Sequence, residues 1–215
     1  SGDTPADYVD SIKILIFFTM LTLLPSFIIM FTSFTRITVV FSLLKNAIGA
    51  QQSIPSQILV GLAIFLTIFI MQPVYTEINE VALKPYSNEE ITFEQALENA
   101  SNPIKDFMLK ETRQKDLELF VDAAKLNSGE LTRKNIPLYS IVPAFAISEL
   151  KTAFQIGFLL FVPFMVIDMI VASVLMSMGM MMLPPTVISL AFKLLLFVMV
   201  DGWNLIVKSL ITSFS

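Results

Sequence analysis

The run ILIFFTMLTLLPSFIIMFTSFT, residues Ile14 to Thr35, contains 22 residues without a single charge. A helix that crosses a bilayer needs about 20 mainly apolar residues, so this run is long enough to cross. A second uncharged run extends from Asn46 to Thr76 and is most apolar between Ile58 and Met71. Together the two runs predict the arms of a transmembrane helical hairpin.

Two further apolar runs, residues 141–174 and 184–214, differ from the first two because they carry charges. These charges are Glu149, Lys151, Asp168, Lys193, Asp201 and Lys208. One charge near the bilayer centre costs about 2.5–3.5 kcal/mol, so three charges in one run nearly cancel the gain from its apolar residues. Charged residues in such segments usually face protein or a water-filled cavity. We therefore expect these two runs to pack against protein rather than lipid.

The composition favours a membrane protein without catalytic chemistry. Hydrophobic residues make up 55% of the chain and charged residues 15%, whereas soluble domains average about 25% charged residues. The chain has no Cys and no His, which excludes disulfides and thiol nucleophiles and removes the commonest acid–base group and metal ligand. No phosphate-binding loop or basic nucleic-acid face is visible. We expect neither an enzyme nor a bound cofactor.

A polar insert separates the two pairs of apolar runs. Twelve of the 18 acidic residues and eight of the 14 basic residues lie between Glu77 and Lys134. Thr92 and Gln95 fit a capping box, and Asn102–Pro103 fits the start of another helix. The insert is therefore predicted to be helical. We favour the interpretation that it is a docking surface for sister subunits over the alternative of a solvated loop. The chain is predicted to be all-α and to divide into residues 1–76, 77–140 and 141–215.

Basic residues suggest an orientation in the membrane. Arg36 and Lys45 follow the first run without any acid between them, which predicts a short cytoplasmic connection. The acidic insert then falls on the outer side if all four runs cross completely. The chain also opens with SGDTP and no Met, which is consistent with removal of a signal peptide.

The charges within the apolar runs allow two interpretations. Ionisable groups inside a membrane commonly form a proton or ion pathway, and the alternative is pairing between helices or subunits. Glu149 and Lys151 are two residues apart, so they point to different sides of a helix and need other partners, such as Lys193 and Asp201. Pairing is favoured. A small-molecule or ion transporter and a scaffold without a pore remain as alternatives.

The stretch MSMGMMMLPP, residues 176–185, is unusually rich in methionine. Methionine is flexible and polarizable, which suits both a packed core and a surface that must seal and then open. Gly179 interrupts the helix before the three consecutive methionines, and Pro184–Pro185 interrupts it after them. From these residues alone, methionines facing lipid or a core are the favoured interpretation.

Several long stretches resemble the FliP family of flagellar export-gate subunits, whose virulence counterpart is SctR. They are FTSFTRITVVFSLLKNAIGAQQSIPSQILVGLAIFLTIFIMQPV (31–74), ELKTAFQIGF (149–158), IDMIVASVLMSMGMMMLPP (167–185) and FKLLLFVMVDGW (192–203). The resemblance covers about Phe17 to Phe214. One departure is SLLKN at Ser42–Asn46, where Lys stands in place of the family's Arg.

The resemblance implies an assembly and a location. FliP-like subunits form a ring of about five copies and assemble with Q-type and R-type subunits into a conical gate that passes unfolded export substrates. Their hairpins are largely lifted out of the bilayer plane, in contrast to the four spans that hydropathy predicts. The implied location is the bacterial inner membrane within the flagellar basal body, in contact with lipid, with the insert on the periplasmic side.

The resemblance also implies roles for particular residues. Met180, Met181 and Met182 would line the narrow point of the pore, on a loop bounded by Gly179 and by Pro184 and Pro185. Glu149 and Lys193 match positions expected to pair between adjacent subunits. The remaining charges of the last two runs would make buried polar contacts, and these are Lys151, Asp168 and Asp201.

Overall fold

A computed structural model describes residues 5–126, 135–180 and 183–214. Every regular element in these ranges is helical, which confirms the predicted all-α class for this part of the chain. In chain order the helices are α1 (Pro5–Phe31), α2 (Phe34–Ile48), α3 (Ser56–Ile78), α4 (Lys84–Ser87), α5 (Phe93–Glu111), α6 (Gln114–Ala123), α7 (Leu138–Ser177), α8 (Pro185–Met199) and α9 (Gly202–Thr212). A π-helical turn, Asn79–Leu83, joins α3 to α4.

Helix α2 lies at the centre of the molecule, where the sequence predicted a short cytoplasmic connection. Ile37, Val40, Phe41 and Leu44 are fully buried on it and belong to a core that also includes residues of α3, α7 and α9. Their spacing of three and four residues is that of one helix face. The segment is not a simple connection between spans, because the apolar residues between its two charges form a buried helix, and its cytoplasmic side stays a prediction. Since Arg36 is buried with them, the argument for orientation loses one of its two charges.

Among the described residues, two helical segments are long and apolar enough to cross a membrane, Ser56–Ser87 and Leu138–Ser177. The count rises to four only if each of two bent pairs is one span. The first pair is α1, which bends by 46° at Pro25, and the second is α8–α9, which bends by 64°. Helix α7 continues through its two internal prolines for 40 residues. Four straight spans are therefore not what the chain forms.

The insert is helical and packs on α7. Thr92 and Gln95 form the predicted capping box at the start of α5, with the Gln95 N–H donating to Thr92 Oγ1 at 3.3 Å. The predicted helix start at Asn102–Pro103 is wrong, because α5 continues through Pro103 to Glu111. Pro103 is buried, so packing outweighs the loss of one backbone hydrogen bond there.

The predicted division of the chain at 76/77 falls inside the continuous segment Ser56–Ser87, and that at 140/141 falls inside α7. Each boundary in composition therefore coincides with the interior of a helix that links an apolar region to the insert. The division into three parts stays a prediction.

Candidate functional site

A buried arginine joins four parts of the fold. Arg36 of α2 is only 2% exposed and forms a double contact with Glu149 of α7, in which its Nε donates to Oε2 at 2.9 Å and its Nη2 donates to Oε1. The same Nη2 donates to Glu111 Oε2 of α5 at 2.8 Å. Its Nη1 donates to the Ser213 carbonyl at 2.8 Å, and the guanidinium lies 3.7 Å from the centroid of the Phe214 ring. We call these five residues the Arg36 cluster.

The Arg36 cluster places one positive and two negative charges in a nearly dry site. Glu149 is fully buried and the Glu111 side chain is 9% exposed. Arginine suits such a site because its planar guanidinium presents several donors in a fixed geometry. Loss of one partner from a buried ion pair costs about 3–5 kcal/mol, since the other charge stays buried without compensation. The cluster therefore ties α2, α5, α7 and the end of α9 together.

A second ion pair lies nearer to the methionine-rich loop, with its lysine buried and its aspartate partly exposed. Lys193 of α8 donates to Asp168 Oδ2 of α7 at 2.6 Å and to the Ala47 carbonyl of α2 at 3.1 Å. The Ser189 hydroxyl donates to Asp168 Oδ1 at 2.6 Å. These contacts connect the two helices that flank the loop to each other and to the central helix.

Glu149 and Lys193, which the resemblance pairs between subunits, each have a partner in their own chain. Glu149 contacts Arg36, and Lys193 contacts Asp168. The reasoning that Glu149 needs a partner from α8 or α9 is therefore wrong, because α2 provides one. A single chain does not test contacts between copies, so the pairing between subunits stays a prediction.

The three other charges expected to be buried behave differently from one another. Asp168 is partly buried and paired with Lys193, as described above. Lys151 and Asp201 are exposed in the single chain, so their predicted burial is not found within it. Asp201 instead has a left-handed backbone with φ of 52° and precedes the first residue of α9. Its place is the bend between α8 and α9.

The methionine-rich loop begins where α7 ends. The Met180 N–H donates to the Leu175 carbonyl at 3.0 Å and the Gly179 N–H to the Met176 carbonyl at 3.1 Å, which is the hydrogen-bond pattern of a Schellman motif. This motif needs a left-handed residue, and Gly179 supplies it with φ of 74°.

On the other side of the loop, Pro184 caps α8 and Pro185 is its first residue. The Met180 side chain is 39% exposed. Met181 and Met182 lie outside the described residues. The described part of the loop thus lies at the end of α7, and its Met180 side chain is exposed.

A smaller polar cluster holds the insert against α7. The Ser148 hydroxyl donates to Asp116 Oδ2 at 2.6 Å and accepts the Arg113 backbone N–H at 3.1 Å. The Arg113 side chain also donates to Asp116 Oδ2, at 2.5 Å. The hydrogen bond from Ser148 and the charge of Arg113 hold the pKa of Asp116 below its usual value, although burial acts in the opposite direction.

Four members of the Arg36 cluster were not predicted from the sequence as partners of Glu149, namely Arg36, Glu111, Ser213 and Phe214. Arg36 was placed in a short connection because it follows the first apolar run. One signal was available. Arg36 is followed at helical spacing by Val40, Leu44 and Ala47, which places it on the apolar face of a helix.

Comparison with known proteins decides the family. The sequence model of the FliP family matches residues 17–210. The chain belongs to the FliP family. The matched region begins within α1 and ends within α9, so it contains the methionine-rich loop and both ends of the Lys193–Asp168 pair. The resemblance drawn from the sequence is thereby confirmed.

Members of the FliP family from distant bacteria are similar to the chain along most of its length. The flagellar biosynthetic protein FliP of Bacillus subtilis (strain 168) is 55% identical over 214 residues, which cover 100% of this chain and 96% of that protein. The protein of the same name from Aquifex aeolicus (strain VF5) is 52% identical over 207 residues, 96% of this chain and 87% of that protein. The one from Pectobacterium carotovorum subsp. carotovorum is 50% identical over 204 residues, 95% of this chain and 79% of that protein.

Proposed function

We propose that this chain is a pore-forming subunit of the flagellar protein export gate in the bacterial inner membrane. About five copies form a ring together with Q-type and R-type subunits, and unfolded flagellar proteins pass through it. The insert lies on the periplasmic side. The chain performs no catalysis and binds no cofactor, and other components supply the energy. Membership of the FliP family and the similarity to flagellar biosynthetic proteins support this proposal.

The methionine-rich loop is the main observation that supports the proposal of a pore. It follows a 40-residue helix that is long and apolar enough to cross a bilayer, and its Met180 side chain is exposed. Several copies of Met180, Met181 and Met182 around one axis make an apolar ring that excludes water and ions by dewetting. Thioether side chains are flexible enough to move aside for a polypeptide of any sequence.

The ion pairs support a channel for polypeptides over a small-molecule or ion transporter. A transporter needs ionisable groups that bind cargo or protons within the membrane. Glu149 contacts Arg36, and Lys193 contacts Asp168, so three of the charges that suggested a transporter take part in holding helices together.

The test replaces Met180, Met181 and Met182 together by alanine in the assembled complex. Ion leak across the membrane is expected to rise, because three short side chains per copy no longer fill the constriction. A matched triple change of Val187, Leu195 and Val198 to alanine on the exposed surface of α8 controls for loss of apolar surface. Unchanged leak in a complex that still assembles and still exports would contradict a methionine seal and favour a scaffold without a pore.

A further inference from the structure

The tip of the helical hairpin formed by α4 and α5 carries four large apolar side chains that face solvent. They are Leu83, Tyr86, Phe93 and Leu97, each between 46% and 65% exposed. The Tyr86 and Phe93 rings meet edge to face with their centroids 6.1 Å apart. We call these four residues the tip stripe.

The geometry of the hairpin brings the tip stripe onto one continuous surface. Asn99 Nδ2 of α5 donates to the Val81 carbonyl at 3.1 Å, which fixes the antiparallel register of the two arms. Residues three or four apart lie on the same side of a helix. Leu83 therefore lies beside Tyr86 on one arm, and Leu97 lies beside Phe93 on the other. The contact between the two rings joins the arms.

Lipid does not explain an apolar surface at this place. The segment Ser56–Ser87 has 32 residues and is therefore roughly 48 Å long at 1.5 Å per residue. The hydrocarbon core of a bilayer is about 30 Å thick, so about a third of this segment projects beyond it. Glu77, Glu80 and Lys84 lie in the projecting part, which places the tip stripe outside the apolar region of a membrane.

Carboxylates surround the tip stripe. Glu94 and Glu98 follow Phe93 and Leu97 by one residue each, so they lie about 100° further around α5. Both are exposed, as are Glu89 and Glu90 in the turn before α5. No ion pair within the described residues engages any of these carboxylates. Lys84, which follows Leu83 by one residue, is also exposed, so the surface is apolar in the middle and its border carries these four carboxylates and one lysine.

We propose that the tip stripe binds a basic amphipathic helix of another polypeptide. The groove between two antiparallel helices accepts the apolar face of a third helix, whose anchors recur every three or four residues. Lysine or arginine side chains on the flanks of that helix then meet the carboxylate border. The same surface of a second copy is a poor partner, because two negative borders repel each other. The inference goes beyond the role of the chain in export and does not depend on it.

The first test measures binding of a fluorescent 14-residue helix of leucine and lysine to the full chain in nanodiscs of zwitterionic lipid. Empty nanodiscs provide the background. Phe93→Ala together with Leu97→Ala is expected to weaken binding at least ten-fold. Glu94→Gln together with Glu98→Gln is expected to weaken it and to reduce its dependence on salt. Leu119→Ala on α6 removes an equally exposed leucine elsewhere and is expected to leave binding unchanged.

Four results would overturn the proposal. The first is equal binding of a leucine and glutamate helix of the same pattern, because it would remove the role of charge. The second is an equal loss of binding in the Leu119→Ala variant, and the third is the absence of binding by the unaltered chain. The fourth comes from cells, where a photo-crosslinking amino acid at Phe93 is expected to form an adduct with a basic amphipathic segment of another polypeptide. Adducts with a second copy alone would contradict this expectation.

Discussion

At the residue scale, Arg36 holds more partners than any other charged side chain described here. Its guanidinium donates hydrogen bonds to Glu149, to Glu111 and to the Ser213 carbonyl. Because the cluster contains one arginine and two glutamates, it carries a net charge of −1 in a nearly dry site. Loss of the arginine leaves two buried carboxylates without a cation. Loss of Glu111 instead leaves a one-to-one pair. The two changes should therefore lower the free energy of unfolding by very different amounts, although each removes a single charge.

Arg36→Met is predicted to destabilise the chain by about 3–5 kcal/mol, because two carboxylates stay buried and unpaired. For a chain of this size that is a fall of roughly 6–20 °C in the unfolding midpoint. Glu111→Gln is predicted to change the midpoint by only a few degrees. Trp203 is the only tryptophan, so its fluorescence in detergent reports the transition without interference. If the unfolding midpoint fell equally in the two variants, charge balance would not govern the stability of this cluster.

The sequence predicted which residues need polar partners better than it predicted the partners themselves. Charge counting within apolar runs identified Glu149, Asp168 and Lys193 correctly as residues that need partners. It did not reveal that α2 supplies Arg36, because the contact joins residues 113 positions apart. Hydropathy describes one segment at a time, whereas such pairs depend on how distant segments pack together.

At the element scale, close packing of α2 on α7 depends on the absence of a side chain at one position. A Cβ atom placed on Gly157 would lie 2.1 Å from Leu43 Cδ1, 3.0 Å from Leu43 Cβ and 3.1 Å from Leu43 Cγ. The end of a leucine side chain can rotate away, but its Cβ is fixed to the backbone of α2. A substitution therefore forces both a new rotamer and a small separation of the helices.

Gly157→Ala is predicted to destabilise the chain by about 1–3 kcal/mol through overpacking. Gly61→Ala on α3 is the matched control, since a Cβ there has no atom within 4 Å. It is predicted to be neutral or to stabilise by up to about 1 kcal/mol, because alanine favours the helix more than glycine does. The unfolding midpoints of the two variants should therefore move in opposite directions, or at least differ clearly. A stable Gly157→Ala variant would mean that α2 and α7 pack less tightly than described.

Helix ends were predictable where they depend on local chemistry. The capping box at Thr92 and the helix interruptions at Gly179 and Pro184–Pro185 each follow from residues close in sequence. Pro103 was misread because its signal is ambiguous. Proline favours the first turn of a helix, but a buried proline is also tolerated within a packed one. Only the surrounding packing distinguishes the two cases.

At the scale of the whole molecule, the two ion-pair clusters hold the last hairpin at separate places. The Lys193–Asp168 pair joins α8 to α7 near the methionine-rich loop, and Arg36 binds the chain beyond α9 at Ser213 and Phe214. The bend at Asp201 lies between these two attachments. The positions of the helices on either side of the loop are therefore set by contacts within one chain, before any second copy is present.

The all-α class and the membrane-length helices followed from composition and hydropathy, but the arrangement of the helices did not. Hydropathy predicted four spans, the last two of them carrying charges, because it counts apolar residues without regard to direction. The chain instead buries α2 at its centre and bends α1 and α8–α9. Assembly into a ring is a proposal, and it rests on the resemblance to the FliP family.

Formation of a disulfide between copies through a cysteine at Met180 tests most directly whether the loops meet around a pore. The chain has no cysteine, so the Met180→Cys variant carries a single thiol. Mild oxidation of the assembled complex is predicted to link most copies in pairs. Leu119→Cys on α6 should stay unlinked, because α6 packs beside Ser148, about 44 Å along α7 from the loop. Failure of Met180→Cys to link in a complex whose mass shows several copies would contradict the proposed pore.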